Sequence, residues 1–200
     1  MAIVHVDSPD TGFAGLCAGV LGVYLVCACT LMLYSALITK ALKWPTPANV
    51  QAPLREFSWP VLNWGRYLMT IHVVRIFAGP AFRSTTIWNW YMRLSGARIG
   101  RNVWVNSLAL MDHNRLDFAA GVVIGSDAHV SGHTIEHGIV KTAPVRLGPN
   151  TLIGIGSVTG IGSSAGGNTA NSKQQASVFR LFAVAVAAAA RRVAYRSVIL

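Results

Sequence analysis

The sequence predicts an all-β domain, a short parallel β-helix of about three coils, carried behind an N-terminal membrane helix. Three observations predict it. A six-residue beat runs from Ala97 to Gly162, an uncharged apolar run fills residues 13–39, and 17 Lys+Arg stand against 7 Asp+Glu. The chain is 52% hydrophobic and only 12% charged, whereas soluble domains carry about a quarter charged residues. That gap points to a membrane.

Residues 1–12 form a short tail with Asp7 and Asp10. The run "FAGLCAGVLGVYLVCACTLMLYSALIT" (13–39) follows, 27 residues without a charge. As a helix it extends about 40 Å, enough to cross a hydrocarbon core of about 30 Å with some tilt. It lacks the basic start and the short apolar core of a secretory signal, so a retained anchor is expected. Cys17, Cys27 and Cys29 all fall inside this run. They suggest neither a disulfide framework nor a zinc site, and read as small apolar fillers.

From Lys40 to Arg101 there are nine basic residues and one acid, Glu56. By the positive-inside rule the part after the anchor is cytoplasmic. The basic belt also suits anionic lipid headgroups. No helix-turn-helix, zinc-finger or RNA-binding aromatic motif accompanies it, so no nucleic acid partner is expected.

Residues 40–60 carry four prolines and read as a stiff linker. Residues 61–82 are apolar but interrupted by Arg66, His72 and Arg75. Charges at the bilayer centre are costly, so an interfacial helix is favoured there over a second crossing. "WNWYMRL" (88–94) is a short aromatic helix, completing a lead-in over 61–94.

The domain proper is expected over 95–162. Its hexads are "ARIGRN", "VWVNSL", "VVIGSD", "AHVSGH", "VRLGPN", "TLIGIG" and "SVTGIG". Their third positions are Ile99, Val105, Ile124, Val130, Leu147 and Ile153, with Thr159 as the exception. A six-residue period is the mark of a parallel β-helix: one short strand and one corner per hexad. The aliphatic residue points inward, and Gly or Asn takes the corner where φ is positive. Ala109–Gly121 and Thr134–Pro144 break the period. In repeat architectures such insertions lie on one face, often the functional one. Residues 163–177 read as a flexible linker and 178–200 as an Ala-rich C-terminal helix, capping the strands or standing where later coils have been lost.

The stretches "MRLSGARIGRNV", "DHNRLDF" and "VVIGSDAHVSGHTIEHGIVKTAPVRLGPNTLIGIGSV" resemble the hexapeptide-repeat (left-handed β-helix) acyltransferase superfamily. Within it they are most similar to the C-terminal domains of ε-poly-lysine synthetase and related nonribosomal peptide synthetase terminal modules. The resemblance covers roughly residues 75–162, under half of the chain. It implies a left-handed helix and transfer of an acyl or aminoacyl group from a thioester to an amine or hydroxyl. The donor would be acyl-CoA or a carrier-protein phosphopantetheine thioester, with no bound cofactor. Sites between neighbouring β-helices imply a homotrimer or docking to sister domains.

By motif, the resemblance places the general base at His133 and its acidic neighbour at Glu136. Imidazole suits the task because its pKa lies near neutrality. Glu136 would orient a ring N–H of His133 or the acceptor amine, and Lys141 would meet phosphate or carboxylate of the donor. Two positions depart from the family pattern: Ile135 stands for its Phe and His137 for its Asp. In "MDHN", His113 is a second candidate base, with Asp112 holding its tautomer. His129 is expected to point outward. "HTIEH" (133–137) fits an inverted zinc-protease pattern, but that motif needs a helix, and Gly132 and Gly138 bracket it here; no metal is expected. "GIGSVTG" (154–160) follows the hexad beat and opens no helix, so it is no dinucleotide loop. The rival readings are a non-catalytic scaffold, a truncated piece of a larger synthetase, and, on the basic belt alone, a peripheral lipid-binding protein.

Overall fold

The computed structural model describes residues 9–171. Helix α1 (Pro9–Ala41) is the longest element, at 33 residues. Its Gly12–Ala41 stretch is long and apolar enough to cross a membrane, and only 11% of its most apolar window is buried. From Gly12 to Cys27 its side chains are exposed. Beyond that, Ala28, Met32, Ser35, Ala36 and Thr39 are buried. Their spacing of three or four residues makes one helical face, which packs on α2 (Trp59–Phe77) and α4 (Thr86–Leu94).

α2 carries a proline in its first turn, where the missing N–H costs nothing. Val61, Trp64, Tyr67, Ile71 and Val74 form its buried face. Met69, Val73, Ile76 and Phe77 stay exposed on the other side. A turn at α3 (Gly79–Phe82) leads to α4, whose first turn is capped by Thr85 accepting from the Trp88 backbone N–H. Among the described residues α1 is the one helix that meets the membrane-spanning criterion.

The strands overturn the predicted fold class. The sequence predicts one all-β left-handed β-helix; the described residues form four α-helices and four separate short sheets, one of them antiparallel. The parallel sheets are β2 (Arg98–Ile99), β5 (Leu116–Phe118), β10 (Val145–Leu147) and β13 (Ser164–Ala165); β3 (Trp104–Val105), β6 (Val123–Ile124), β11 (Leu152–Ile153) and β14 (Ala170–Asn171); and β4 (Leu110–Met111), β7 (His129–Ser131) and β12 (Val158–Thr159). The antiparallel sheet is β1 (Gln51–Pro53), β9 (Ile139–Thr142) and β8 (His133–Glu136). Each strand of the parallel sheets spans only two or three residues. The longest strands belong to the insertion, which pairs with itself and with the proline-rich segment.

The alternation within the hexads still sets which side chains are buried. Val105, Ile124, Val130, Leu147, Ile153 and Thr159 are buried and Ile99 is half-buried. Positive φ falls at Asn102, Asp127 and Asn150, where short polar side chains tolerate the left-handed region. Buried residues of the strands, α4, α2 and the inner half of α1 form one hydrophobic cluster.

Two further expectations are corrected. The proline-rich 40–60 segment, read as a stiff linker, packs into the fold: Ala52 is buried in β1 and Thr46 is fully buried. Residues 163–171, expected as flexible linker, hold β13 and β14, with Asn168 repeating the positive φ of the earlier corners. The hexad beat continues there with Ala165 and Asn171 in register with Leu147 and Ile153, and the loss of the aliphatics hid it. The rest of the 163–177 linker and the C-terminal helix over 178–200 lie outside the described residues.

Candidate functional site: an Asp–His pair held by a threonine strap

The site forms where β4 and β7 run side by side. Leu110 pairs with Val130 and Met111 with Ser131. The next residues on each chain are Asp112 and Gly132, and then His133 opens β8. Asp112 adopts the left-handed conformation, φ 54° and ψ 57°. That kink ends β4, and the carboxylate, fully buried, meets His133. Gly132 is required by close approach. A Cβ there would lie 2.6 Å from Arg115 Cβ and 3.0 Å from Asp112 Cβ.

Asp112 uses both oxygens. Oδ2 accepts from His133 Nδ1, and Oδ1 accepts from Thr46 Oγ1 at 2.7 Å. The Thr46 carbonyl in turn accepts from Asn114 Nδ2 at 2.8 Å and Arg115 Nε at 2.9 Å. One residue of the proline-rich segment therefore straps both sides of the Asp112 turn. A buried carboxylate is costly unless its oxygens are hydrogen-bonded, and here both are.

With its proton on Nδ1 facing Asp112, His133 presents Nε2 as its basic nitrogen. The ring keeps 16% of its side-chain surface in contact with solvent. Trp64 of α2 stands edge-on to it, ring centroids 5.0 Å apart at 66°. The Trp64 indole N–H is buried and has no hydrogen-bond partner among the described residues. Ser131 Oγ lies 3.3 Å from His133 Nδ1 and donates to the His133 carbonyl at 2.7 Å. It sits on the same nitrogen as Asp112, so the arrangement is no Ser–His–Asp relay, in which serine and carboxylate take opposite ring nitrogens. Chemically, the site offers an oriented imidazole that can take and return one proton.

The other expected residues fall elsewhere. Glu136 does not reach His133; it accepts from Lys141 Nζ at 2.6 Å across the β8–β9 hairpin. The Lys141 ammonium holds the Glu136 carboxyl below its usual range. His137 and Gly138 form the hairpin's two-residue turn, both with positive φ. That geometry suits a type I′ turn and explains why "HTIEH" is no zinc helix. No group of His, Cys, Asp and Glu with metal-binding arrangement occurs among the described residues.

His113 is no candidate base. It is fully buried, edge-on to Trp88 and Tyr91. Burial pushes its pKa down to about 4, against the opposing influence of Asp112 and the Leu110 backbone. Asp112 was expected to hold His113 and holds His133 instead. His129 is half-buried, and burial, with His133 and Arg75 nearby, lowers its pKa.

Sequence reasoning missed Thr46, Trp64 and the Asp112–His133 pairing. Aligning the beats of β4 and β7 was the signal available for the pair. No local signal marks Thr46.

Scans against family models, curated proteins and solved structures give no match to this chain.

Proposed function

We propose that the chain is a membrane-anchored acyl-transfer protein in which His133, oriented by Asp112, is the general base. The observation that carries this reading is the Asp112–His133 contact, with Asp112 locked from behind by Thr46. The resemblance of its hexads to thioester-using acyltransferases supports the reaction class. An amine or hydroxyl would lose its proton to His133 Nε2 as it attacks the thioester carbonyl. Collapse of the tetrahedral species breaks the C–S bond, and the imidazolium returns the proton to the leaving thiolate. The donor class is acyl-CoA or a phosphopantetheine thioester. A second copy or a sister domain would complete the site.

α1 supplies the anchor. The cytoplasmic placement of the strand domain rests on Lys40, Lys43 and the basic belt that follow it. The exposed Met69, Val73, Ile76 and Phe77 suit α2 to the interface rather than to a second crossing.

The test uses the full chain in neutral detergent with short-chain acyl-CoA and a panel of amines and alcohols, read as free thiol released. His133→Ala and Asp112→Asn are each expected to lower the rate by about 10²–10⁴-fold. Equal rates in wild type and His133→Ala would reject the base. A second reading, a non-catalytic scaffold, is favoured by one feature: Glu136 and Lys141 pair with each other in the β1–β9–β8 sheet rather than lining His133. A wild-type chain that releases no thiol above background with any acceptor favours it.

A further inference from the structure

On the far side of the Thr46 strap two cavities meet. One, of about 310 Å³, is lined by Arg98, Arg115 and Arg146, with Asp117 and Asn114. The other, of about 270 Å³ and mainly apolar, is lined by Thr39, Lys40, Lys43, Pro45 and Tyr67. Gly96 and Asn114 line both, so the two adjoin.

The register explains the cluster of arginines. Arg98 of β2, Asp117 of β5 and Arg146 of β10 stand in one row across a parallel sheet. Asp117 reaches Arg98 at 3.8 Å, but one carboxylate cannot neutralise three guanidiniums. Arg115, partly buried beside them, is fixed by its Nε bond to Thr46. Among the described residues no other hydrogen bond engages its guanidinium. Such a set of planar forks matches the oxygens of a phosphate. Asn114 adds a buried Oδ1 with no hydrogen-bond partner among the described residues, an acceptor for a ligand hydroxyl.

The apolar cavity lies at the end of α1, the membrane-spanning candidate, with Lys40 and Lys43 in its wall. We propose that the paired cavities bind a phosphorylated amphiphile, its phosphomonoester on Arg98, Arg115 and Arg146 and its apolar part against Pro45 and Tyr67. The assignment is independent of acyl transfer at His133. The phosphate could be carried by a membrane lipid or by a soluble molecule, and the geometry favours the lipid because the apolar cavity continues from the arginines toward α1.

The test is a binding titration of the full chain in neutral detergent with three probes: short-chain phosphatidic acid, phosphatidylcholine of the same chain length, and inorganic phosphate. Phosphatidic acid is expected to bind at least about tenfold more tightly than either of the others. The Arg98→Ala/Arg146→Ala variant, altered only at exposed side chains, is expected to lose about tenfold or more for phosphatidic acid and to keep its unfolding midpoint. Equal binding of phosphatidic acid by wild type and variant overturns the arginine site. Equal binding of the two lipids overturns the phosphate. Inorganic phosphate binding as tightly as phosphatidic acid assigns the site to a soluble phosphate and overturns the apolar half.

Discussion

Replacing Thr46 by valine separates packing from hydrogen bonding at the strap. Thr46 is fully buried. Valine keeps its shape and its backbone carbonyl, so the bonds from Asn114 and Arg115 survive. What is lost is the 2.7 Å hydroxyl bond to Asp112 Oδ1, and that oxygen is left buried without its donor. A hydrogen bond to a charged group contributes about 1.5–3 kcal/mol, and an orphaned buried acceptor places the loss toward the top of that range. For a chain of this size each kcal/mol shifts the midpoint by about 2–4 °C, so Thr46→Val is expected to lower it by about 4–12 °C. Thr46→Ser keeps the hydroxyl and removes one methyl, a loss of about 1 kcal/mol and about 2–4 °C. The assay is thermal unfolding of both variants in the same detergent. The prediction is an order: serine above valine, although valine fills the site better. The reverse order would refute the strap as a hydrogen-bonding device. In an Asp112→Asn background the cost of Thr46→Val should shrink, because the acceptor no longer carries a charge.

The remaining predictions address the neighbours. His113 has a folded-state pKa of about 4, below the ordinary His value of about 6.5. Between those values the unfolded chain binds a proton that the folded chain refuses, so stability is full above about pH 6.5 and falls by about 3 kcal/mol as pH drops to about 4. His113→Leu should flatten that acid limb in urea titrations; an unchanged slope would contradict it. Gly132→Ala places a Cβ 2.6 Å from Arg115 Cβ. It should destabilise the chain by about 1–3 kcal/mol and move the His133 ring resonances in NMR spectra. For Glu136, whose folded-state carboxyl is held below its usual range by Lys141, any stabilisation is present above the ordinary carboxylate pKa and lost as pH falls through the depressed value. Glu136 is exposed and its half-buried partner Lys141 is still screened by solvent, so Glu136→Gln should leave both the unfolding midpoint and thiol release unchanged. A fall in rate comparable to that of Asp112→Asn would return Glu136 to the site.

What could be read from the sequence follows how local its cause is. The long apolar helix is a composition signal over 27 residues, and α1 covers it. Inward positions such as Ile124 and Ile153 follow from alternation within two or three residues, and they are buried. The sheet architecture was misread because the period fixes where strands begin, not how many sheets they make. Nor does it fix what the insertions do. Thr134–Pro144 supplies the longest strands, and its partner β1 lies far upstream in a segment read as linker. At the site, His133 is singled out by motif, with Glu136, three residues away, read as orienting either its ring or the acceptor amine, whereas Asp112 is the residue that meets the ring. The true pairing depends on β4 lying beside β7 and on the left-handed turn at Asp112. Asp has a raised tendency to adopt that conformation, but nothing in "MDHN" shows which of its neighbours does.

Helix α1 and the site are one mechanical unit. Thr46 follows the end of α1 by five residues and is tied to Asp112, Asn114 and Arg115. Trp64 of α2 stands against His133, and α2 packs on α1. Ala28, Met32 and Ala36 of α1 belong to the same buried cluster as Val105, Leu116 and Ile124 of the strands. A helix that served only as a tether would need none of these contacts, since a tether requires length and apolarity alone. Here small side chains on one face of α1 let it lie close against α2 and α4 while its other faces remain apolar and exposed. Under the proposed anchoring by α1, the depth of the membrane would set the height of the Asp112–His133 pair above it. An acceptor or donor presented at the bilayer surface would meet His133 at a fixed distance, and the basic belt from Lys40 onward gives that surface a preference for negative charge.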